Sequence, residues 1–256
     1  MRIWCQSCTG IGADPLWQNY DKSLKEHVKK VGRPDTHADF FGQGETLPGI
    51  DRYRSTQHIC AHRSIQNAIR AEKEGYDAFL MVSTIDAGFY EIKELVDIPV
   101  VMITESVLHL CCLLAPKFSF ITHNEALLHL LNRLTKEYGL EDHLVPGGHL
   151  DLSYQDIKGM YEKPEPYIDG FTKLAKQIAA RGANLLFPAA LIVNQWCIDK
   201  GIKEIDGATV IDVMGAGIKM TELMVDLQKM GVPRSKSGAY MRPPGEVKAA
   251  IKKLYG

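Results

Sequence analysis

The sequence predicts an α/β protein with parallel sheets, and three observations support this prediction. Short apolar runs alternate along the chain with segments whose apolar residues recur at helical spacing. Runs such as residues 78–82 show no apolar–polar alternation, which is typical of strands buried on both faces of a parallel sheet. The length of 256 residues is sufficient for two domains of roughly 100–150 residues, each with its own core.

Strands are predicted where a short apolar run is bounded by turn residues. The run at 78–82 follows Gly75, which ends the preceding helix, and stops at the polar pair Ser83-Thr84. The predicted strands are residues 2–6, 36–41, 78–82, 98–103, 117–121, 183–187 and 208–213.

Helices are predicted where apolar residues return every three or four positions. Residues 42–54 contain three Gly and one Pro and predict a long exposed loop, and residues 231–245 form a tail rich in Pro, Gly, Ser and basic side chains. The predicted helices are residues 15–30, 56–74, 89–96, 105–115, 125–138, 164–181, 188–200 (after a short loop), 214–230 and 246–255.

Two segments that lie far apart in the sequence have the same residue pattern. Residues 75–83 and 182–190 each begin with a helix-ending Gly and continue through a polar third residue and an apolar strand into a loop. A duplication would produce this similarity, and so would the plan common to any two β–α units. The sequence alone leaves both explanations open.

Composition indicates the class of partner. The formal net charge of -1 gives no electrostatic footprint for nucleic acid or an anionic membrane. The longest apolar stretches fall short of the ~18–20 residues that a bilayer requires, and residues 1–4 lead into a strand without the apolar region of a signal peptide. We therefore expect a cytoplasmic protein with a small-molecule substrate and with neither nucleic acid nor membrane as partner.

The cysteines predict no metal site. Six cysteines are scattered along the chain, unlike the dense framework of a small secreted domain. Cys5 and Cys8 form a C-x-x-C motif, but no second ligand pair at zinc spacing is evident, and Cys5 falls inside a predicted strand rather than before a helix. Dinucleotide and P-loop fingerprints are also missing from the sequence. Free thiols, no metal and no cofactor are the prediction.

Polar residues follow several predicted strands at the sheet edge where open α/β folds bind ligands. These candidate binding residues are Gln6, Ser7, Thr84, Thr122 and His123, together with Ser83. Hydroxyls and helix N-termini suit a carboxylate or a cyclic amide. Helix capping is the alternative role for Ser83, Thr84 and Thr122.

Catalysis would require an activated group in or near this set. Ser83 is the candidate nucleophile or donor, His62 or His123 the candidate base, and Asp86 or Glu105 the candidate orienting carboxylate. The non-catalytic interpretation of His62 is an exposed histidine on the helix at 56–74. That of Asp86 is a carboxylate that stabilises the N-terminus of the helix that it precedes.

Several stretches resemble the aspartate/glutamate/hydantoin racemase superfamily, in its hydantoin-racemase-like branch. Residues 96–100 (Val-Asp-Ile-Pro-Val) are the most specific part. The resemblance is carried by residues 74–79, 86–89, 94–101, 105, 117–122, 182–183, 209–212 and 219–220. It implies two pseudo-symmetric flavodoxin-like domains, each a three-layer α/β/α unit with a parallel sheet, an active site in the cleft between them, and a homo-oligomer.

This resemblance also implies domain boundaries and a departure from family chemistry. The first domain would comprise residues 1–115 plus 214–256, and the second residues 116–213. Members of the family typically use two cysteines on opposite faces of the substrate, but the matching positions hold Ser83 and either Ala189 or Ala190. An alcohol has too high a pKa to replace a thiolate base unaided. Two-thiol racemisation is therefore not expected, and Pro188 and Ala189 are assigned to substrate binding.

The leading hypothesis is an enzyme of this superfamily that acts on a small carboxylate or a cyclic amide or imide. Lyase, hydrolase or isomerase chemistry would use Ser83, with His62 and Glu105 as further catalytic residues. One alternative is a non-catalytic small-molecule-binding homologue. A second is a hydantoin or amino-acid racemase with other acid–base residues, such as Cys8, the thiol expected at the mouth of the cleft, and a histidine.

Overall fold

The computed structural model describes residues 1–12, 15–45, 47–161 and 163–256, which contain nine strands and ten α-helices. The strands are β1 (Arg2–Ser7), β2 (His37–Phe41), β3 (Ala78–Val82), β4 (Val100–Met102), β5 (Phe118–Thr122), β6 (Gly148–His149), β7 (Leu185–Pro188), β8 (Glu204–Ile205) and β9 (Ala208–Val210). The helices are α1 (Gln18–Val31), α2 (Arg54–Lys73), α3 (Phe89–Leu95), α4 (Ile103–Leu114), α5 (Glu125–Glu137), α6 (Tyr154–Met160), α7 (Glu165–Ala180), α8 (Leu191–Asp199), α9 (Val213–Lys229) and α10 (Gly245–Leu254).

The strands form two sheets with one repeated order. The first sheet has the order β2-β1-β3-β4 and is parallel throughout. The second has the order β6-β5-β7-β9-β8, and its first four strands repeat the arrangement of the first sheet in parallel pairing. The predicted α/β class with a flavodoxin-like arrangement in each half is confirmed. Among the described strands, β8 is the one antiparallel member, and it pairs with β9 at the edge of the second sheet.

Successive side chains of β3 point to opposite faces of the sheet, and both faces are buried, which explains why this strand is apolar at every position. Leu80 and Val82 belong to one buried apolar cluster, while Phe79 and Met81 belong to another on the opposite face of the sheet. Helices cover both faces of the sheet, so the strand has no solvated side on which a polar residue would be stable.

Helix α9 joins the end of the chain to the first sheet. After the last strand of the second sheet, α9 packs against β3, β4 and α4. A Cβ at Gly217 would lie 3.1 Å from the side chain of Ile103, so a glycine permits this close approach. The strands of the first sheet thus lie before residue 103, and those of the second lie between residues 118 and 210.

Several element predictions need correction. The strand predicted at 98–103 is only Val100–Met102, because α4 already begins at Ile103. The last strand ends at Val210, since the Asp212 side chain accepts from the Gly215 backbone N–H and caps α9. β6, β8 and α6 were not predicted; the two strands have two residues each, too few to produce a periodic pattern.

Candidate active site

A small pocket lies where the carboxyl ends of β1 and β3 meet those of β5 and β7. Its volume is about 90 Å³, well below the roughly 300–1,000 Å³ of sites for drug-sized ligands. Apolar lining comes from residues such as Ile50, Val82, Leu127, Ile157 and Leu191. The polar lining consists of Ser7, Cys8, Thr9, Asp51, Ser83, Thr84 and His123.

Hydroxyl and thiol groups form the wall that belongs to the first sheet. Ser83 lies beside Cys8 in this wall, and the Cys8 sulfur lies 2.7 Å from that of Cys60. Burial and the adjacent Cys60 raise the pKa of the Cys8 thiol well above its ordinary value, although the Ser83 hydroxyl opposes this shift. Cys8 is therefore a protonated thiol near neutral pH and not a ready thiolate base.

A histidine–aspartate pair forms part of the opposite wall. His123 Nε2 lies 3.0 Å from Asp51 Oδ2, and the Asn124 side-chain amide donates to the same oxygen. Burial would raise the pKa of Asp51, but the hydrogen bond and charge of His123, with help from Arg52, hold that pKa below its ordinary value. Asp51 is therefore ionised and orients the imidazole through Nε2.

Two atoms of this pair have no protein partner. His123 and Asp51 are 4% and 6% exposed, and neither His123 Nδ1 nor Asp51 Oδ1 has a hydrogen-bond partner among the described residues. Buried polar atoms normally have partners. Both residues line the pocket, and the two unpartnered atoms are themselves buried.

A tight turn carries Ser83 into the pocket. The Asp86 backbone N–H donates to the Ser83 carbonyl at 3.2 Å, and Asp86 has a φ of 43°, which is uncommon for a residue other than glycine. The Asp86 carboxylate accepts from the Thr104 and Glu105 backbone N–H groups at 3.1 and 2.9 Å. Asp86 thus fixes this turn to the N-terminus of α4, a different helix from the one that it precedes in sequence.

The environment of Asp86 disfavours its charge. Burial raises its pKa to about 7, although the Tyr138 hydroxyl and the backbone N–H groups of α4 oppose this shift. Tyr138 donates to Asp86 Oδ2 at 2.8 Å. The carboxyl group of this turn therefore titrates near neutral pH.

The pocket brings together part of the predicted site. Ser7, Ser83, Thr84 and His123 line it, as predicted binding or catalytic residues. Of the two alanines matched to a family cysteine position, Ala190 lines the pocket, whereas Ala189 is fully buried outside the lining. Pro188 precedes them at the end of β7 and is also outside the lining.

Two strand-end residues have structural partners instead. The Gln6 side-chain oxygen accepts from Trp4 Nε1 at 3.0 Å and from the Asn67 amide at 2.9 Å, so Gln6 is held within the first half away from the pocket. The Thr122 hydroxyl donates to the Asn124 carbonyl at 2.8 Å. Neither residue lines the pocket.

The other two predicted catalytic residues also lie outside the pocket. His62 is exposed on α2 with its ring 5.1 Å from that of Tyr255. Glu105 lies in the first turn of α4, and Lys93 Nζ donates to it at 2.6 Å. The structure therefore does not place either side chain beside Ser83.

Sequence reasoning missed Asp51. Residues 42–54 were predicted to be an exposed loop, but Gln43, Leu47, Ile50 and Asp51 are buried. Asp51 reaches His123 across 72 positions of sequence, and no local pattern reports such a pairing. Cys60 was missed for the same reason, since its partner lies 52 positions away.

The described residues supply no evident metal site or membrane span. No group of three or more His, Cys, Asp or Glu side chains in these ranges is arranged to hold a metal ion. None of the helices in the same ranges has the length and apolar character needed to cross a membrane.

Comparison with known proteins identifies the family. The chain is 27% identical to a hydantoin racemase from Pseudomonas sp. (strain NS671) over 230 residues, which cover 87% of this chain and 86% of that protein. Its fold is similar to allantoin racemase from Klebsiella pneumoniae, with a TM-score of 0.76, 19% identity and coverage of 95% and 94%. A liganded mutant of arylmalonate decarboxylase is more distant, with a TM-score of 0.52, 13% identity and coverage of 88% and 92%. Residues 18–187 match the family described as Asp/Glu/hydantoin racemase, and the chain therefore belongs to that family.

Proposed function

We propose that this chain is a cofactor-independent enzyme that moves a proton at the carbon beside a carbonyl in a small carboxylate or cyclic amide. One observation carries the proposal: Ser83 and the Asp51–His123 pair line the same small pocket between the two sheets. The pocket offers an acid–base group and a hydroxyl donor together, which is the minimum that such a reaction requires.

His123 is the proposed acid–base residue. Asp51 engages Nε2, so Nδ1 is the nitrogen left to take a proton from the substrate. The ionised carboxylate of Asp51 stabilises the imidazolium that results and holds the ring in one orientation. Asn124 in turn holds Asp51 through its side-chain amide.

Ser83 is the proposed donor to the substrate oxygen. Removal of a proton beside a carbonyl places negative charge on the carbonyl oxygen, and a fixed hydroxyl stabilises that charge. The first turn of α8 also lines the pocket, and this helix begins after Ala190 without a side-chain cap. Its backbone N–H groups would stabilise a substrate carboxylate.

A racemase that uses Cys8 is the second candidate. Racemisation needs acid–base groups on both faces of one carbon, and Cys8 lies on the pocket wall of the first half, beside Ser83. The similarity of this chain to a hydantoin racemase and an allantoin racemase also favours this candidate. With its raised pKa, Cys8 would donate a proton and His123 would remove one.

The experiment is an exchange assay in D₂O. The full chain is incubated with 5-substituted hydantoins, amino acids and substituted malonates, and NMR follows loss of the α-proton and appearance of product. Exchange in the wild type that is lost in His123→Ala supports the proposal. Exchange with loss of optical rotation that Cys8→Ser also abolishes selects the racemase. Tight binding with neither exchange nor product overturns both and supports a non-catalytic binding protein.

A further inference from the structure

Two buried cysteines meet beside the pocket. Their sulfurs, on Cys8 and Cys60, are 2.7 Å apart, whereas a disulfide bond measures about 2.0 Å. Cys8 follows β1 and Cys60 lies in the second turn of α2, with exposed fractions of 3% and 0%. The proposed proton transfer gives Cys60 no task.

Access and environment distinguish the two thiols. Cys8 lines the pocket, and Cys60 does not. A small oxidant that enters the pocket therefore meets Cys8 first. Burial and Cys60 keep the Cys8 thiol protonated in the resting protein, so this thiol must lose its proton as it reacts with the oxidant. Cys60 then lies within bonding reach as the resolving thiol.

We propose that Cys8 and Cys60 form a reversible disulfide when the protein meets a hydroperoxide. The Cys8 thiolate attacks one peroxide oxygen, the O–O bond breaks, and the departing oxygen leaves as water with the thiol proton. The Cys60 sulfur then attacks the resulting sulfenic sulfur, the S–S bond forms, and the S–O oxygen leaves as a second water. The two sulfurs together lose two electrons, which reduce the peroxide, and a dithiol reverses the change.

This bond would change the wall of the pocket. It would tie the loop after β1 to α2 and remove the thiol proton beside Ser83. The modification stands apart from the proposed function, because its readout is a sulfur–sulfur bond and requires no substrate.

Peptide mapping tests the proposal. The reduced full chain is treated with hydrogen peroxide, denatured, alkylated and digested without reductant, and its peptides are identified by mass spectrometry. The expected result is a peptide that links Cys8 to Cys60, with loss of two of the six thiols and recovery of both after dithiothreitol. Six alkylated thiols, or a bond between other cysteines, would overturn the proposal.

Matched variants identify the attacking and resolving thiols. Cys60→Ser should lose the linked peptide and leave Cys8 as a sulfenic acid that dimedone traps. Cys112→Ser, which removes a partly exposed thiol on α4, should keep the linked peptide. If Cys60→Ser does not fold, Cys60→Ala provides the same readout. Dimedone labelling at Cys112 instead of Cys8 would contradict the assigned order.

Discussion

The two walls of the pocket share a fold but differ in chemistry. Each wall stands at the carboxyl ends of two neighbouring parallel strands, β1 and β3 in one half and β5 and β7 in the other. The first wall presents Cys8 and Ser83, while the second presents His123 and the small side chain of Ala190. The repeated scaffold therefore sets where functional groups stand, and the residue after each strand sets what they can do.

The carboxylates that support the two walls also differ. Asp51 contacts His123 and has a pKa below its ordinary value, so it supplies a charge. Asp86 holds the Ser83 turn, and burial raises its pKa to about 7. One carboxylate is suited to stabilising an imidazolium, and the other to fixing backbone geometry.

The largest expected effect comes from the second wall. His123→Ala should reduce turnover in the exchange assay by about 10²–10⁴-fold, the usual contribution of a general acid–base residue. The matched control is His62→Ala on α2, which is exposed and should keep wild-type turnover. If His62→Ala lost turnover and His123→Ala kept it, the base would lie in the first half. That result would contradict the assignment of the acid–base residue to the second wall.

The next effect comes from the first wall. Ser83→Ala should reduce turnover by about 10²–10³-fold, as for the loss of one oxyanion donor, while substrate affinity changes little. Kinetics and equilibrium titration together separate these two quantities. Ser106→Ala, on α4 outside the pocket lining, is the control. An unchanged turnover in Ser83→Ala would reduce Ser83 to a structural residue of its turn.

Sequence reasoning reached the fold because the fold depends on local patterns. β3 is apolar at all five positions and β5 at three of five, both strands are buried throughout, and the strand pattern recurs in the second half. Ser83, Thr84 and His123 were found because each follows such a strand. Strand-end position alone could not separate them from Gln6 and Thr122, whose side chains have local partners.

Pairings between distant segments escaped sequence reasoning. Asp51 contacts His123 from a loop whose glycines predicted exposure, and Cys60 contacts Cys8 from the second turn of α2. The predicted catalytic residues His62 and Glu105 were chosen by residue type and by the family resemblance, neither of which reports spatial proximity to Ser83. Their real neighbours, Tyr255 and Lys93, depend on how α2 and α4 pack.

The pH dependence of the free energy of unfolding tests the protonation state of Asp86, which holds the Ser83 turn in the first wall. An unfolded Asp has a pKa of about 3.9, and that of folded Asp86 is about 7. Between these values the unfolded chain has lost a proton that the folded chain keeps, so the free energy of unfolding falls as pH rises. Asp86 contributes no pH dependence below or above this window, and the fall across it is on the order of 4 kcal/mol at most.

Asp86→Asn should remove this part of the pH dependence. The variant has no titrating group at this site, although it also loses hydrogen bonds that the carboxylate accepts from α4 and Tyr138. Urea unfolding at about pH 5 and about pH 8 measures the difference between the two conditions. Asp142→Asn, at an exposed position, should keep the wild-type difference. An equal difference in Asp86→Asn would show that Asp86 is ionised throughout.

The C-terminal segment packs against the first half. Asp97 accepts from Arg242 at 2.8 Å and Lys248 at 2.9 Å, with Lys236 at 3.3 Å. Arg234 donates to the backbone carbonyls of Lys93 and Val96 at 2.7 and 2.8 Å. This arrangement fastens the tail beside α3, the helix that follows the Ser83 turn.

Asp97→Asn should produce the smallest of these effects. Asp97 is 40% exposed, so solvent screens each ion pair, and the variant should lose about 1 kcal/mol of stability. That loss corresponds to a Tm lower by about 2–4 °C, and it should shrink at high salt, where exposed pairs are screened. Glu137→Gln in the second half, which removes the charge that pairs with Arg133, is the control and should lose less. A fall in Tm equal to that of the control would show that the tail is held by backbone contacts such as those of Arg234 and not by Asp97.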